Sequence, residues 1–281
     1  MQLRKFIFPI LMLCFVANAS SQEYENYEKI AEYGISTGIA HYFGDLNPNA
    51  RLNCPKTTTS LFYTKQFNNY LGIKVAATYA QLGYADKYSS NEVQKRRNLS
   101  FNSDIWEFAV MGDFNFYEFY PGLRGDYTFT PYVGLGIGFF SYNPYAYLDG
   151  VKYYLRDLGT EGQLTNPGST TYSKTAICFP LSLGIKVNIT RRMNLYTELC
   201  YRLTTTDYID DVSGNYSPDS FNPNKGGMSL IGYELQDRSY ETGSRIGIQG
   251  RQRGNSLHND SYVTLQVGMS FNFLSYKCPT Y

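Results

Sequence analysis

Three aspartates lie close together in a polar stretch of the chain. Asp207, Asp210 and Asp211 fall within residues 206–211. Carboxylates at this spacing supply the oxygen ligands that Ca²⁺ prefers, and with His258 they could form an acid–base pair. Because no serine or cysteine lies in a nucleophile motif beside a base, the sequence predicts no enzyme. We expect these aspartates to cap their own loop backbone, with calcium binding as the alternative.

A second group of ionisable side chains occupies the polar positions of alternating segments. Its members are Lys74, Glu107, Asp113, Lys186, Glu198 and Arg202. They would form either a plug of mutually neutralising charges inside a narrow barrel or a path for an ion or small substrate. An eight-stranded barrel has room only for its own side chains or one small ligand, which favours the plug. The glycines of residues 134–138 alternate within a strand and precede no helix, so no nucleotide cofactor is predicted.

The elements that position these side chains are eight segments with a period of two. Apolar residues alternate with glycine, serine and isolated charges, and most runs approach the roughly 9–11 residues that a tilted strand needs to cross hydrocarbon. The segments are residues 32–44, 59–67, 71–79, 104–116, 131–140, 177–189, 195–203 and 262–273. They predict an all-β, antiparallel, up-and-down transmembrane β-barrel of eight strands. Ten strands are the alternative, because residues 204–261 have room for a further hairpin.

The connections alternate between long and shorter ones. Outer-membrane barrels have short periplasmic turns and long extracellular loops, with both termini in the periplasm, and the same arrangement is predicted here. Two details depend on it. His41 falls in the lipid-facing register near a strand end, and Pro180 is expected to cause a bulge because it lacks a ladder N–H.

Composition and the N-terminus predict export to the outer membrane. The chain has 28 Tyr, 18 Phe and 25 Gly, and only 17% of its residues are charged. Residues 1–19 have the basic, apolar and small-residue regions of a signal peptide. A periplasmic segment (20–31), the barrel (32–273) and a tail (274–281) follow. The net charge of +1 disfavours a nucleic-acid partner.

Four cysteines remain after the signal peptide: Cys54, Cys178, Cys200 and Cys278. Their spacing matches no metal motif, and the predicted topology places Cys54 and Cys278 on opposite sides of the membrane. We therefore expect mostly free or buried thiols.

Five short motifs, taken in order, resemble a known family. They are GDLN (44–47), RNLSF (97–101), TPY (130–132), LGTEGQ (158–163) and TDYIDDVSG (206–214). Together they are similar to the outer-membrane barrel family of Bacteroidetes that includes PorG, a component of the type IX secretion system. The resemblance runs from about residue 33 to 273.

This resemblance implies a barrel that does not itself conduct cargo. It would be embedded in outer-membrane lipid and contact a periplasmic ring of lipoprotein and associated subunits. The residues expected to make that contact are Tyr117, Phe119, Tyr120 and Arg124, because aromatics and arginine often anchor interfaces. A periplasmic aromatic girdle explains the same aromatics equally well. The alternative functions are binding or adhesion through the long extracellular loops, and a narrow pore for small solutes.

Overall fold

The computed structural model describes residues 29–119, 128–164, 171–190, 192–221 and 230–275. Several predicted features lie wholly or mostly outside these residues: the signal peptide, the periplasmic segment before residue 29, the tail after residue 275 with Cys278, and the proposed contact residues Tyr120 and Arg124. Among the described residues, no helix is long and apolar enough to cross a bilayer.

The described chain is dominated by antiparallel strands. Eight of them are long: β1 (Lys29–Phe43), β2 (Lys56–Gln66), β3 (Leu71–Ala85), β4 (Ser100–Asn115), β5 (Phe129–Ser141), β8 (Thr175–Thr190), β9 (Met193–Thr204) and β10 (Ser261–Ser275). Two are short, β6 (Tyr145–Leu148) and β7 (Val151–Tyr154). Three short α-helices occur in the described connections: α1 (Glu92–Arg97), α2 (Leu155–Leu158) and α3 (Leu230–Gln236).

The eight long strands close into a barrel. Each long strand pairs with the next long strand along the chain. These pairings include β3 with β4, and β5 with β8 across the short hairpin. Closure is completed by β1 and β10, which run in continuous register from the Lys29–Ser275 pair to the Phe43–Ser261 pair. This is the predicted antiparallel up-and-down barrel of eight strands, and closure leaves the long strands without an unpaired edge.

The barrel is inside-out compared with a water-soluble domain. Along β4 burial alternates with every residue from Ile105 to Asn115, so that Glu107 is buried and Trp106 is exposed. Exposed aromatics gather near both ends of the strands. At the end where β1 begins they include Tyr33, Phe67, Phe114, Phe116, Phe271 and Phe273, and toward the opposite end Trp106, Phe108, Phe139 and Phe179. An apolar band between two aromatic girdles is the surface that a membrane-spanning barrel presents to lipid.

The structure corrects three predictions about the strands. The extra hairpin, β6–β7, lies in the fifth connection, not in residues 204–261, and its strand pairing with the barrel consists of one Asn102–Tyr145 pair. Pro180 causes no bulge, because the register with β5 is the same on either side of it, at Leu135–Leu181 and Gly138–Cys178, and Pro180 itself stays in register with Arg202 of β9. His41 does not face lipid. Its side chain is 4% exposed, and its Nε2 accepts a hydrogen bond from the Cys54 backbone N–H at 3.1 Å, because the first loop folds back over it.

The long loops fold together into a cap at the end of the barrel opposite the start of β1 and the end of β10. Strands β3 and β4 continue beyond their predicted bounds into this cap, and their register extends to the Ala85–Ser100 pair. Leu46, Leu99, Ile209, Val212 and Leu235 are buried in the apolar cluster at this end. A hydrophobic core of this kind makes the cap a folded unit, and the topology places it on the extracellular side.

Candidate functional site

The barrel interior contains two layers of charge along the barrel axis, an outer layer nearer the extracellular cap and an inner layer nearer the periplasmic end. In the outer layer, Arg202 donates from Nε to Glu107 Oε2 at 2.6 Å and from Nη1 to Thr264 Oγ1 at 2.7 Å. Tyr262 donates its hydroxyl to the same Glu107 oxygen at 2.5 Å. Arg202 and Glu107 are both at least 95% buried. Each charge is therefore neutralised by a direct partner.

The inner layer is built around a second ion pair. Lys74 donates to Glu198, which also accepts the Tyr132 hydroxyl at 2.7 Å. Asp113 lies 3.7 Å from the amino groups of both Lys74 and Lys186, which is a charge contact too long for a hydrogen bond. Together the two layers contain all six ionisable residues of the predicted interior cluster.

The interior leaves little free space. Within the cavity between these side chains, the centre of a water molecule can occupy a volume of about 20 Å³. This space holds about one water. Both Asp113 oxygens and Lys186 Nζ lack a hydrogen-bond partner among the described residues. A water at this place would bridge them. The described part of the barrel is therefore sealed by its own side chains.

A seventh interior charge, Glu32, was missed from the sequence because it stands at the start of its segment. It is 1% exposed. Its carboxylate accepts hydrogen bonds from Gln66 Nε2 at 2.8 Å and Ser270 Oγ at 3.0 Å. Its position in the strand could have identified it. Glu32 is separated from inward-facing Ser36 by an even number of positions, so both side chains point to the same face of the strand. Neutral donors stabilise this carboxylate near the periplasmic end.

Two arginines connect the loops of the extracellular cap. Arg97 makes a two-pronged contact with Asp86 at 2.7 and 2.8 Å, and its Nη1 donates to the Arg253 carbonyl at 2.7 Å. Arg253 in turn pairs with Glu161 at 3.0 Å and with Asp211. The motif residues therefore fasten segments that are far apart in sequence.

The three aspartates considered as a calcium site do not converge. Asp210 accepts the Tyr42 hydroxyl and, at 2.9 Å, the Val212 N–H, which is the expected capping of its own loop. Asp211 instead accepts the hydroxyls of Thr160 and Tyr172. Within the described ranges, no group of three or more Asp, Glu, His or Cys side chains is arranged to hold a metal. The described geometry therefore gives the calcium alternative for Asp207, Asp210 and Asp211 no support.

One tyrosine joins two carboxyl groups at the base of the cap. The Tyr42 hydroxyl lies 2.5 Å from Asp210 Oδ2 and 2.8 Å from Asp260 Oδ1. A hydroxyl has one proton to donate, so the second contact requires a proton on a carboxyl group. Burial, followed by mutual charge, raises the pKa of Asp210 well above its usual range, and burial with the nearby Asp207 does the same for the pKa of Asp260. The pair therefore binds a proton that free carboxyls would lose.

At the periplasmic end, the structure separates the two described contact residues. Tyr117 is 58% exposed, whereas Phe119 is 1% exposed. Phe119 is anchored through its backbone N–H to the Asn69 carbonyl at 3.3 Å. A buried ring offers no surface to a partner, so Phe119 is removed from the predicted contact and Tyr117 stays in it.

The described cysteines are free, as expected: Cys54 is half-buried, and Cys178 and Cys200 are buried. Cys178 and Cys200 lie in the barrel wall and point inward beside the charge layers. The Cys178 thiol lies 3.5 Å from Glu107 Oε2. These thiols therefore belong to the packing of the interior.

A closed barrel with an apolar exterior, two aromatic girdles and a sealed polar interior defines a transmembrane β-barrel protein of the outer membrane. Residues 4–227 match a family described as "Domain of unknown function (DUF6089)". The chain belongs to this family. No curated protein matches the sequence.

Several solved outer-membrane proteins are similar to this chain. Neisserial surface protein A is 10% identical, with a TM-score of 0.42, covering 87% of this chain and 97% of its own. The attachment invasion locus protein Ail of Yersinia pestis is 12% identical, with a TM-score of 0.38, covering 88% and 100%. OprG from Pseudomonas aeruginosa is 9% identical, with a TM-score of 0.36, covering 89% and 98%.

Proposed function

We propose that this protein is a non-conducting outer-membrane anchor, and that it acts as a PorG-like assembly component of a type IX secretion machinery. The observation that carries the first part is the sealed interior, with paired charges and about 20 Å³ of free space. The five ordered sequence motifs support the second part. In this proposal the protein is not an enzyme, and its function depends on what it holds at the two membrane faces.

A sealed interior predicts electrical silence. Purified protein inserted into a planar bilayer should produce no conductance steps, because an ion would have to displace the Lys74–Glu198 and Arg202–Glu107 pairs. A large porin in the same lipid serves as the positive control. Reproducible steps that scale with the amount of inserted protein would favour the small-solute pore instead.

The periplasmic contact is tested by co-purification from membranes. Replacing the contact residue Tyr117 together with its exposed neighbour Phe116 by alanine should reduce recovery of the ring lipoprotein at least severalfold, because aromatics that become buried on binding commonly anchor interfaces. The matched control replaces Trp106 and Phe139, which are 65% and 63% exposed toward the external end. Quantitative mass spectrometry of the captured material gives the result. Equal recovery with both double variants would contradict the contact.

One observation favours the alternative of surface binding or adhesion. The extracellular loops form a folded cap with its own buried ion pairs, Arg97–Asp86 and Arg253–Glu161. A rigid cap is a better binding platform than a mobile loop, since less conformational entropy is lost on binding. If this is the main function, changes on the cap surface will abolish binding and leave the recovery of ring proteins unchanged.

A further inference from the structure

The surface of the extracellular cap contains a basic cleft on the far side of the membrane from the proposed periplasmic contact. It is formed by two adjoining open cavities of about 570 and 310 Å³ that share Val93, Ile246 and Arg251 in their walls. Helix α1 provides one wall and the chain around residues 242–255 provides the other. This cleft has no part in sealing the barrel.

The charges that line the cleft are unbalanced. Its cationic residues are Lys95, Arg96, Arg97, Arg251 and Arg253, and its anionic ones are Glu92 and Asp45. Arg97 and Arg253 are neutralised from behind by Asp86, Glu161 and Asp211. Arg96 and Arg251 make no ion pair within the described part of the chain, so their charge acts on whatever enters the cleft.

The backbone holds one of these two cations in place. Arg96 donates to the Ser239 carbonyl at 2.9 Å, to Thr242 Oγ1 at 2.6 Å and to the Ser244 carbonyl. Gly243 lies against this guanidinium with a φ of +149°, and a Cβ there would come within 2.7 Å of Arg96 Nη1. The positive φ favours glycine here, and its missing side chain leaves room for the guanidinium. The Arg96 charge is fixed at the cleft without a carboxylate.

Arg251 has donors to spare. It is exposed, and its Nη1 donates to the Ile246 carbonyl at 3.1 Å. The remaining guanidinium N–H groups have no partner within the described ranges, and a guanidinium fork matches phosphate or sulfate oxygens. Gln94, Gln252 and Asn255 add neutral amides to the same walls. Amides of this kind can exchange hydrogen bonds with sugar hydroxyls.

We propose that this cleft binds the phosphate or sulfate groups of an anionic saccharide at the cell surface. The same chemistry is available from the phosphorylated headgroup of an outer-leaflet glycolipid and from a free polysaccharide. The geometry that carries the proposal is the pairing of one fixed and one available guanidinium across an open cleft lined with amides. It does not depend on the periplasmic contact.

The test uses full-length protein in phospholipid nanodiscs and low-mass dextran sulfate as the probe. We expect the wild type to bind dextran sulfate and not uncharged dextran. The double variant Lys95→Gln with Arg251→Gln should bind at least about tenfold more weakly, since it removes the available guanidinium and a second positive charge from the cleft wall while leaving the backbone contacts of Arg96 intact. Added salt should weaken wild-type binding.

The matched control replaces Lys174 and Lys87, which lie outside the cleft walls, with glutamine. Lys174 suits Lys95 well, because their side chains are 49% and 44% exposed and each pairs with one carboxylate. The proposal requires the control to bind within about twofold of the wild type. Equal binding by both double variants, or no binding by the wild type, would overturn it.

Two further arms identify the ligand. Poly-L-glutamate that binds as tightly as dextran sulfate of equal charge would overturn the saccharide assignment. In nanodiscs containing lipopolysaccharide, weaker binding of added dextran sulfate would support a glycolipid headgroup as the occupant of the cleft. Unchanged binding would support a free polysaccharide. Recovery of ring proteins by the Lys95/Arg251 variant should equal that of the wild type, which separates this result from failure of the proposed assembly role.

Discussion

Replacing Glu107 with leucine is expected to destabilise the barrel by about 3–5 kcal/mol, because the change leaves the Arg202 guanidinium buried without its counter-charge. Glu107 accepts both Arg202 Nε at 2.6 Å and the Tyr262 hydroxyl at 2.5 Å. The variant removes these two acceptor contacts together. Urea unfolding of barrels reconstituted in lipid vesicles, followed by tryptophan fluorescence from Trp106, measures the loss.

Two further variants separate the charge effect from simple loss of packing. Glu107→Leu combined with Arg202→Met should recover much of the lost stability, since replacing both members of a buried ion pair with apolar residues is often neutral. Glu92→Leu is the surface control, because its side chain is 83% exposed and pairs with Lys95. It should cost at most about 1 kcal/mol. Equal losses for Glu107→Leu and Glu92→Leu would refute the plug as a stabilising element.

The barrel could be predicted from sequence because its rule is local. Alternation alone determines which residues face inward, and it placed Lys74, Glu107 and Glu198 on the interior face. The same rule, applied to the first residue of the predicted segment 32–44, includes Glu32. The ends of strands were harder to predict. Strand β3 was expected to stop at Tyr79, but it continues to Ala85. The continuation was not predicted because both faces of the last residues are buried in the cap, so the alternation of burial disappears there.

The cap could not be predicted because its contacts are long-range and irregular. Tyr42 contacts Asp210 and Asp260 across sequence separations of 168 and 218 residues. Nothing in the local pattern around Asp210 distinguishes a shared proton from a calcium ligand. His41 shows the same limit of local sequence patterns. Its place in the strand alternation is an outward-facing one, and the ring is buried because the first loop folds back over it. Burial of Phe119 likewise could not be read from its local sequence pattern.

The basic cleft shows that the overall charge of the chain does not predict the local charge of its surface. The chain is nearly neutral, with 25 basic and 24 acidic residues. Folding separates these charges, because Asp86, Glu161 and Asp211 are used to hold Arg97 and Arg253 in the cap. Arg96 and Arg251 then remain on the surface without carboxylate partners in the described chain. A local excess of positive charge thus arises from a balanced sequence.

The extracellular cap is expected to be most stable in mild acid and to loosen as the pH rises. The closed cap holds a shared proton among Tyr42, Asp210 and Asp260, whose carboxyl groups have pKa values well above the usual range. Burial also raises the pKa of Asp207 to about 7 and that of Asp211 to about 6. An opened cap would expose these carboxyls to water and return them toward their ordinary pKa near 4.

The direction of the pH effect follows from the number of protons that the closed and the opened cap bind. Above pH 4 the opened cap has released protons that the closed cap still binds, so each step up in pH favours opening by about 1.4 kcal/mol per unit for each such proton. This stabilisation is complete below the ordinary pKa and is lost as the pH passes the raised values, which for Asp211 and Asp207 are about 6 and 7. Asp45 opposes ionisation of the pair, and the nearby Arg97 favours it. Hydrogen exchange of residues 204–221 between pH 5 and pH 8.5, corrected for the intrinsic rate, measures cap opening.

Asp260→Asn provides the decisive comparison. The amide can donate to the Tyr42 oxygen and its carbonyl can accept the Ile209 N–H, which contacts Asp260 at 2.8 Å in the wild type. This variant reproduces the protonated carboxyl and cannot ionise. Its cap should therefore stay closed at pH 8.5 better than the wild-type cap and depend less steeply on pH. Asp157→Asn, at a side chain that is 54% exposed, should keep the wild-type dependence. A wild-type cap that opens more readily at pH 5 than at pH 8.5 would exclude the shared proton, because a pair of ionised carboxylates would then be the more stable closed state.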